Sequence, residues 1–252
     1  MAWALFFGSI LVAWGALFAM QADPDFSAPV WSEPGLRALA AMCRTTAGDA
    51  GYGPAVAMWS LMSLAMMAPT AFPALKTYAD LPLTGGAHAL GTTALFAGYL
   101  LIWIGFSALA GGAQVQLARL GVLDPEGRSL LPVLNATLLA LAGVYQFSAL
   151  KNACVARCRH PLTFFMANWR DGHLGAFQMG LKLGVVCLGC CWALMLLAFV
   201  AGTMNLAFMG LATLLMTVEK LPDFGRVVSA PLGAALLAAA GATLAIDLVT
   251  LI

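Results

Sequence analysis

Long apolar runs separated by short polar segments constrain the fold of this chain more than any other feature. A helix needs roughly 20 mostly apolar residues to cross the hydrocarbon core of a bilayer. Seven segments of the 252-residue chain approach or exceed that length, and they cover residues 2–20, 54–75, 89–112, 130–150, 175–200, 203–219 and 229–251. The sequence therefore predicts an all-α polytopic membrane protein with seven transmembrane helices.

The composition supports the same fold class and excludes several functions. Hydrophobic residues make up 62% of the chain and charged residues only 9%, whereas a soluble domain carries about 25% charged residues. We therefore expect the lipid bilayer as a partner and exclude nucleic acid, because no basic patch suits it. Motifs of hydrolases and nucleotide-binding loops are missing from the sequence, which disfavours a hydrolase or a nucleotide-driven pump.

The lysines and arginines between the apolar segments predict the orientation, because positive charges accumulate on the cytoplasmic side. With the N-terminus inside and the C-terminus outside, eight basic residues fall on or near the inner side: Lys76, Lys151, Arg157, Arg159, Arg170, Lys182, Lys220 and Arg226. Four fall outside: Arg37, Arg44, Arg119 and Arg128. We expect this arrangement in a bacterial inner (cytoplasmic) membrane.

The organisation expected is a single membrane domain over residues 1–252. No Lys or Arg precedes residues 2–20, so we interpret them as a retained first helix rather than a signal peptide. Residues 21–53 are the longest polar stretch and predict an outer loop with a short helix on the membrane surface. Residues 151–173 predict a basic inner loop that contains cysteines and histidines.

A group of sulfur-bearing residues lies on the fifth apolar segment. Cys187, Cys191 and Met195 are spaced by four, which places them on one face of a helix, and Cys190 lies beside them. Thiolate and thioether sulfurs are soft donors that favour Cu(I). The alternative is that these cysteines are small apolar residues that allow helices to pack closely.

A second group of sulfur-bearing residues lies on the second apolar segment. Met62 and Met66 are one helical turn apart, Met67 is adjacent, and Pro69 and Pro73 follow. Prolines remove backbone donors, and the freed carbonyls of a membrane helix must find other partners, which often marks a cavity. The methionines could supply thioethers to the cysteine site, or the segment could be a packed apolar helix with a proline kink.

Further candidate ligands lie near the predicted inner side. Cys154 and Cys158 are four residues apart and share a helical face, with His160 close behind and His173 further along. Glu219 is the only acidic residue of its apolar segment, and a carboxylate at membrane depth is a functional candidate by default. Alternatively, Glu219 lies at the membrane interface, and the basic residues of the loop meet anionic headgroups.

Several motifs, taken in order and spacing, resemble a family of predicted metal-binding integral membrane proteins over about residues 54–221. They are MSLAMMAPTAFPAL (62–75), YQFSALKNACVARCRHP (145–161), WRDGHLGAFQMG (169–180), CLGCCWALM (187–195), MNLAFM (204–209) and EK (219–220). The resemblance implies metal binding. It also implies that nine residues occupy family-pattern positions: Met62, Met66, Met67, Cys154, Cys158, Cys187, Cys190, Cys191 and Glu219.

Three functions remain open at this point. The first is a membrane protein that binds copper as Cu(I) and either transports it or delivers it to a protein partner. The second is a membrane-embedded metal-dependent oxidoreductase, or a subunit of one, which would need nitrogen or carboxylate ligands such as His160, His173 and Glu219. The third is a structural accessory subunit of a membrane complex. Whether the protein is an enzyme is left open.

Overall fold

The described residues of the chain fold almost entirely into α-helices. The computed structural model describes residues 2–22, 51–81, 88–203, 205–221 and 225–250, and the only β-feature within those ranges is an isolated bridge between Leu123 and Ser129. The helices are α1 (Ala2–Ala22), α2 (Tyr52–Asp80), α3 (His88–Arg119), α4 (Pro132–Gln146), α5 (Ala149–Arg159), α6 (Pro161–Asn168), α7 (Gly172–Leu196), α8 (Ala198–Ala201), α9 (Leu206–Glu219) and α10 (Gly225–Thr250). The predicted all-helical class is confirmed.

Four to five helical segments of the described chain are long and apolar enough to cross a membrane. Four are single segments: Tyr52–Asp80, Leu90–Arg119, Gly172–Ala201 and Val227–Val249. A fifth arises if α4 and α5, which meet at a 62° bend, count as one span. α9 has 14 residues, about 21 Å at 1.5 Å per residue, which is short of a hydrocarbon core of about 30 Å. Seven spans and the orientation of the termini remain predictions.

The two segments predicted as loops have different outcomes. Most of the predicted outer loop, with its surface helix, lies outside the described residues. The predicted inner loop folds largely as α5 and α6. Ser148 caps α5 by accepting a 3.1 Å hydrogen bond from the backbone N–H of Lys151, and Pro161 occupies the first turn of α6, where its missing N–H has no cost.

Glycines allow α3 and α7 to pack with their backbones in close contact. A Cβ added at Gly180 would lie only 2.0 Å from the carbonyl oxygen of Leu95, and one added at Gly98 would lie 2.2 Å from that of Phe177. Gly184, one turn after Gly180, faces α3 in the same way. Small residues at such positions permit close helix packing in apolar surroundings. This packing fixes α7 against α3.

The prolines of α2 are accommodated without ending the helix, which continues from Tyr52 to Asp80. Pro69 has no N–H to donate to the carbonyl of Ala65, four residues earlier. The indole of Trp14 donates to that carbonyl instead, at 3.0 Å. The carbonyl freed by Pro69 is therefore satisfied by α1, and this hydrogen bond anchors α1 to α2.

Candidate metal centre

Three cysteine thiols converge on the buried face of α7. Cys187, Cys190 and Cys191 are each at most 2% exposed, and their sulfur atoms all lie within 4.8 Å of one another. The sulfurs of Cys190 and Cys191 are 3.1 Å apart, and the Cys190 thiol donates to the backbone carbonyl of Cys187 at 3.0 Å. Among the described residues, one group of three or more Cys, His, Asp or Glu side chains lies close enough together to hold a metal ion, and these three cysteines form it.

Tyr99 of α3 connects the thiol cluster to α2. Its hydroxyl lies 3.1 Å from the sulfur of Cys187 and 3.0 Å from the backbone carbonyl of Met67. The side chain is 1% exposed. Tyr99 can therefore hold Cys187 in place, because the glycine contacts between α3 and α7 fix the distance between them.

Lys220, directly after α9, brings a positive charge to the same thiol. Its ammonium group donates to the sulfur of Cys187 at 3.2 Å and to the hydroxyl of Thr70 at 2.8 Å. Burial alone would lower the pKa of Lys220, but its attraction to negative charge on the neighbouring sulfurs, that of Cys187 first, raises that pKa well above its ordinary value. The ammonium form of Lys220 favours the thiolate form of Cys187.

A cavity of about 210 Å³ borders the thiol cluster. Its wall includes Tyr99, Cys187 and Lys220 of the centre, together with Cys158 and Arg159 at the end of α5. Cys158 is partly exposed, and its side chain lies near enough to Cys190 to interact with that thiol. The last turn of α5 is thus in contact with the buried thiols.

Cys154, one turn earlier on α5, lies against the backbone of α7. A Cβ at Gly189 would be 2.7 Å from the sulfur of Cys154, so the absence of a side chain at Gly189 creates the space that this thiol fills. The phenol of Tyr145 donates to the carbonyl of Gly189, and its ring packs edge-on against Trp192 with 5.1 Å between ring centres. These contacts fix α4 and α5 beside the thiol-bearing turn.

The Glu219 carboxylate, a predicted ligand, is engaged in a buried ion pair. Lys151 donates to both carboxylate oxygens at 2.8 and 3.0 Å, and Ser229 donates to one of them at 3.0 Å. Both charged side chains are 2% exposed. Lys151 also donates to the side-chain oxygen of Gln146. The pair joins α5 to α9, and we name it, with Gln146 and Ser229, the ion-pair cluster.

The other predicted ligands lie in varied surroundings. Met62, Met66, Met67 and Met195 are each at most 1% exposed within the same apolar core as the three thiols. His160, between α5 and α6, and His173, in the first turn of α7, are both exposed. Ligand roles for these residues, and for Cys154, Cys158 and Glu219, remain predictions.

The sequence reasoning missed the roles of Tyr99, Thr70 and Lys220. Tyr99 is a tyrosine within a long apolar run, and Lys220 immediately follows Glu219. Tyr99 is a polar group within a predicted span and Lys220 directly follows one, and these positions are the signals that could have identified them. Lys151 was expected at the headgroups, but its side chain is buried against Glu219.

The fold and the site define an all-helical protein with a buried three-thiol cluster suited to a soft metal ion. A family model described as PpoB2, copper chaperone, matches residues 56–243, and the chain belongs to that family. No curated protein and no solved structure matches the chain. The family description agrees with the copper expected from the sulfur donors.

Proposed function

We propose that this protein is a membrane-embedded copper chaperone that binds Cu(I) at Cys187, Cys190 and Cys191 and delivers it to a protein partner. The observation that carries the proposal is the convergence of three buried sulfurs within 4.8 Å. Membership of the copper chaperone family supports the identity of the metal and the delivery role.

The donor chemistry supports a monovalent soft metal. Thiolates stabilise Cu(I), whereas sites for divalent copper usually use nitrogen and oxygen ligands. The two histidines of the described inner segment, His160 and His173, are exposed, and the Glu219 carboxylate is paired with Lys151. This arrangement favours copper binding over the oxidoreductase hypothesis, which needs those groups as ligands.

The charge balance also favours Cu(I). Two thiolates that bind one Cu(I) ion carry a net charge of −1, and Lys220 lies 3.2 Å from Cys187 to offset it. A buried charge is stabilised only when it is paired. Because the thiols must lose protons to bind the metal, we expect copper affinity to fall as the pH is lowered.

The direct test is a Cu(I) competition titration. The full-length protein, purified in detergent under reducing conditions, is titrated against the chromogenic Cu(I) chelator bathocuproine disulfonate. We expect one Cu(I) ion per chain to be withdrawn from the chelator, and no copper to be retained when Cys187, Cys190 and Cys191 are all replaced by serine. Equal retention by both proteins would contradict the proposal.

Membrane embedding is a separate part of the proposal. It is supported by the four to five long apolar helices and by large apolar side chains exposed on them, such as Leu109 and Val249. Alkaline carbonate extraction of bacterial membranes should leave the protein in the pellet, and reporters fused to each terminus should place the N-terminus inside. Release into the soluble fraction would contradict embedding without affecting copper binding.

A further inference from the structure

We propose that Cys158 is a relay thiol, through which Cu(I) passes between a thiol-bearing donor or acceptor and the buried cluster. The inference rests on the proposed function and adds the path that the metal follows. It also names the class of partner: one that presents copper as a Cu(I)–thiolate complex rather than as a hydrated ion.

The exposure of the thiols supports a relay role. Of the five cysteines in the described residues, Cys154, Cys187, Cys190 and Cys191 are buried, and Cys158 is partly exposed. The three cluster cysteines are each at most 2% exposed, so a partner protein cannot bind their thiols directly without a change in the protein. A partly exposed thiol in contact with the cluster provides the missing step.

The contacts of Cys158 place it within reach of the cluster. It shares the wall of the 210 Å³ cavity with Cys187, and its side chain lies near enough to Cys190 to interact with that thiol. Cys158 is therefore partly exposed and also borders the cavity that reaches the cluster.

The charges around the cavity determine which form of copper fits it. The cationic side chains in its wall are Arg159 and Lys220. Arg159 is held there by a 2.9 Å hydrogen bond from its Nε to the backbone carbonyl of Glu219. Positive walls repel a free cation but attract a Cu(I) ion bound by two thiolates, which carries a net negative charge.

The transfer is a series of ligand exchanges in which copper remains Cu(I). The thiol of Cys158 loses a proton to solvent and bonds to copper, one Cu–S bond to the donor breaks, and that donor sulfur takes up a proton. Cys190 then loses its proton and bonds to copper as the second Cu–S bond to the donor breaks and that sulfur is protonated. Finally Cys187 loses its proton and bonds to copper, and the bond from Cys158 breaks as its thiol is protonated again. No electron is transferred, so no oxidant or reductant is needed.

The test separates the rate of copper loading from the affinity. Full-length protein under reducing conditions is mixed with Cu(I)–glutathione in a stopped-flow instrument, and the thiolate-to-copper absorbance is followed. For Cys158→Ser we expect loading about tenfold slower with an unchanged equilibrium constant, because only the transition state loses an interaction. The matched control is Asn152→Ser, an exposed substitution on the same helix, which should load at the wild-type rate.

Two results would overturn the relay. Loading of Cys158→Ser at the wild-type rate would exclude Cys158 from the path. A loss of equilibrium affinity as large as that of Cys187→Ser would make Cys158 a resident ligand instead. If Cys158→Ser does not fold, brief alkylation of the wild-type protein with iodoacetamide, mapped by mass spectrometry, should modify Cys158 before the other four cysteines of the described residues, and loading should slow in proportion to that modification. Failure of the wild-type protein to bind Cu(I) would instead refute the proposed function.

Discussion

Two buried polar clusters lie close together in the chain but differ in what they can accept. The ion-pair cluster buries opposite charges, and both oxygens of Glu219 already accept hydrogen bonds from Lys151 or Ser229. The thiol cluster buries sulfurs that can be neutral without a metal, and a cavity borders it. A carboxylate whose two oxygens are already paired holds helices together, whereas convergent thiols beside a cavity can take a ligand.

The two clusters are joined through consecutive residues. Glu219 forms the ion pair with Lys151, and Lys220 reaches Cys187 and Thr70. The ion pair therefore fixes the end of α9 so that Lys220 points at the thiols. Substitutions in the ion-pair cluster should mainly lower stability, and substitutions in the thiol cluster should mainly lower copper affinity. The following experiments test that difference.

The largest effect is expected on replacing Cys187, Cys190 and Cys191 together by serine. Copper retention should fall to background, because serine hydroxyls are hard donors with little affinity for Cu(I). The helix content, measured by circular dichroism, should stay unchanged. The control is Ser63→Ala, which alters a buried side chain that bonds Ser107 rather than the thiols. If the triple variant still binds copper, the thiol cluster is not the copper site, and this difference between the two clusters is wrong.

The next largest effect is expected for Glu219→Gln. Removing one partner leaves the buried Lys151 charge uncompensated, which should lower the free energy of unfolding by about 3–5 kcal/mol. Thermal denaturation in detergent measures it, and replacing Lys151 by methionine in the same chain should recover most of the loss. The folded fraction should still bind Cu(I), because all three thiols remain, with an affinity lowered no further than in Lys220→Gln. If Glu219→Gln instead abolishes Cu(I) binding and leaves the thermal stability unchanged, Glu219 is a copper ligand.

A smaller effect is expected for Lys220→Gln. Groups that orient or neutralise a metal's ligands are worth about 10–100-fold in affinity, so Cu(I) affinity should weaken by that amount in the chelator competition. Lys182→Gln is the matched control, since that lysine lies on α7 but donates to Asn168 at the surface. If both variants bind copper equally, the contact between Lys220 and Cys187 has no role in metal binding.

The smallest effect is expected for Tyr99→Phe. The change removes a hydroxyl that lies 3.1 Å from Cys187 and keeps the aromatic packing. A single hydrogen bond is worth about 0.5–1.5 kcal/mol, so the affinity should change by no more than about tenfold. A loss of affinity as large as that of the triple serine variant would make Tyr99 a direct ligand.

The sequence predicted those features of the fold and the site that depend only on residues close together in the chain. The proximity of Cys187, Cys190 and Cys191 follows from helical spacing, and the apolar runs predicted the helical class because hydropathy is read from consecutive residues. The pairing of Lys151 with Glu219 joins residues 68 positions apart, which no local pattern can indicate. The contact of Tyr99 with Cys187 depends on glycine packing between α3 and α7, and it too is a tertiary feature.

The short α9 illustrates a further limit of reading length from hydropathy. Residues 203–219 form an apolar run, but the helix begins only at Leu206, because Gly202 adopts a positive φ of 100° and Asn205 caps the helix by accepting from the N–H of Phe208. The turn removes residues from the predicted span. Hydropathy therefore located the segment, and turn geometry decided its length.

The most direct test of the proposed copper centre is X-ray absorption at the copper edge of the full-length protein loaded with one Cu(I) ion under reducing conditions. We expect an edge typical of Cu(I) and copper bound only by sulfur, a signal lost in the variant with serine at Cys187, Cys190 and Cys191. A first shell of nitrogen or oxygen donors, or a sulfur shell that persists in that variant, would contradict it.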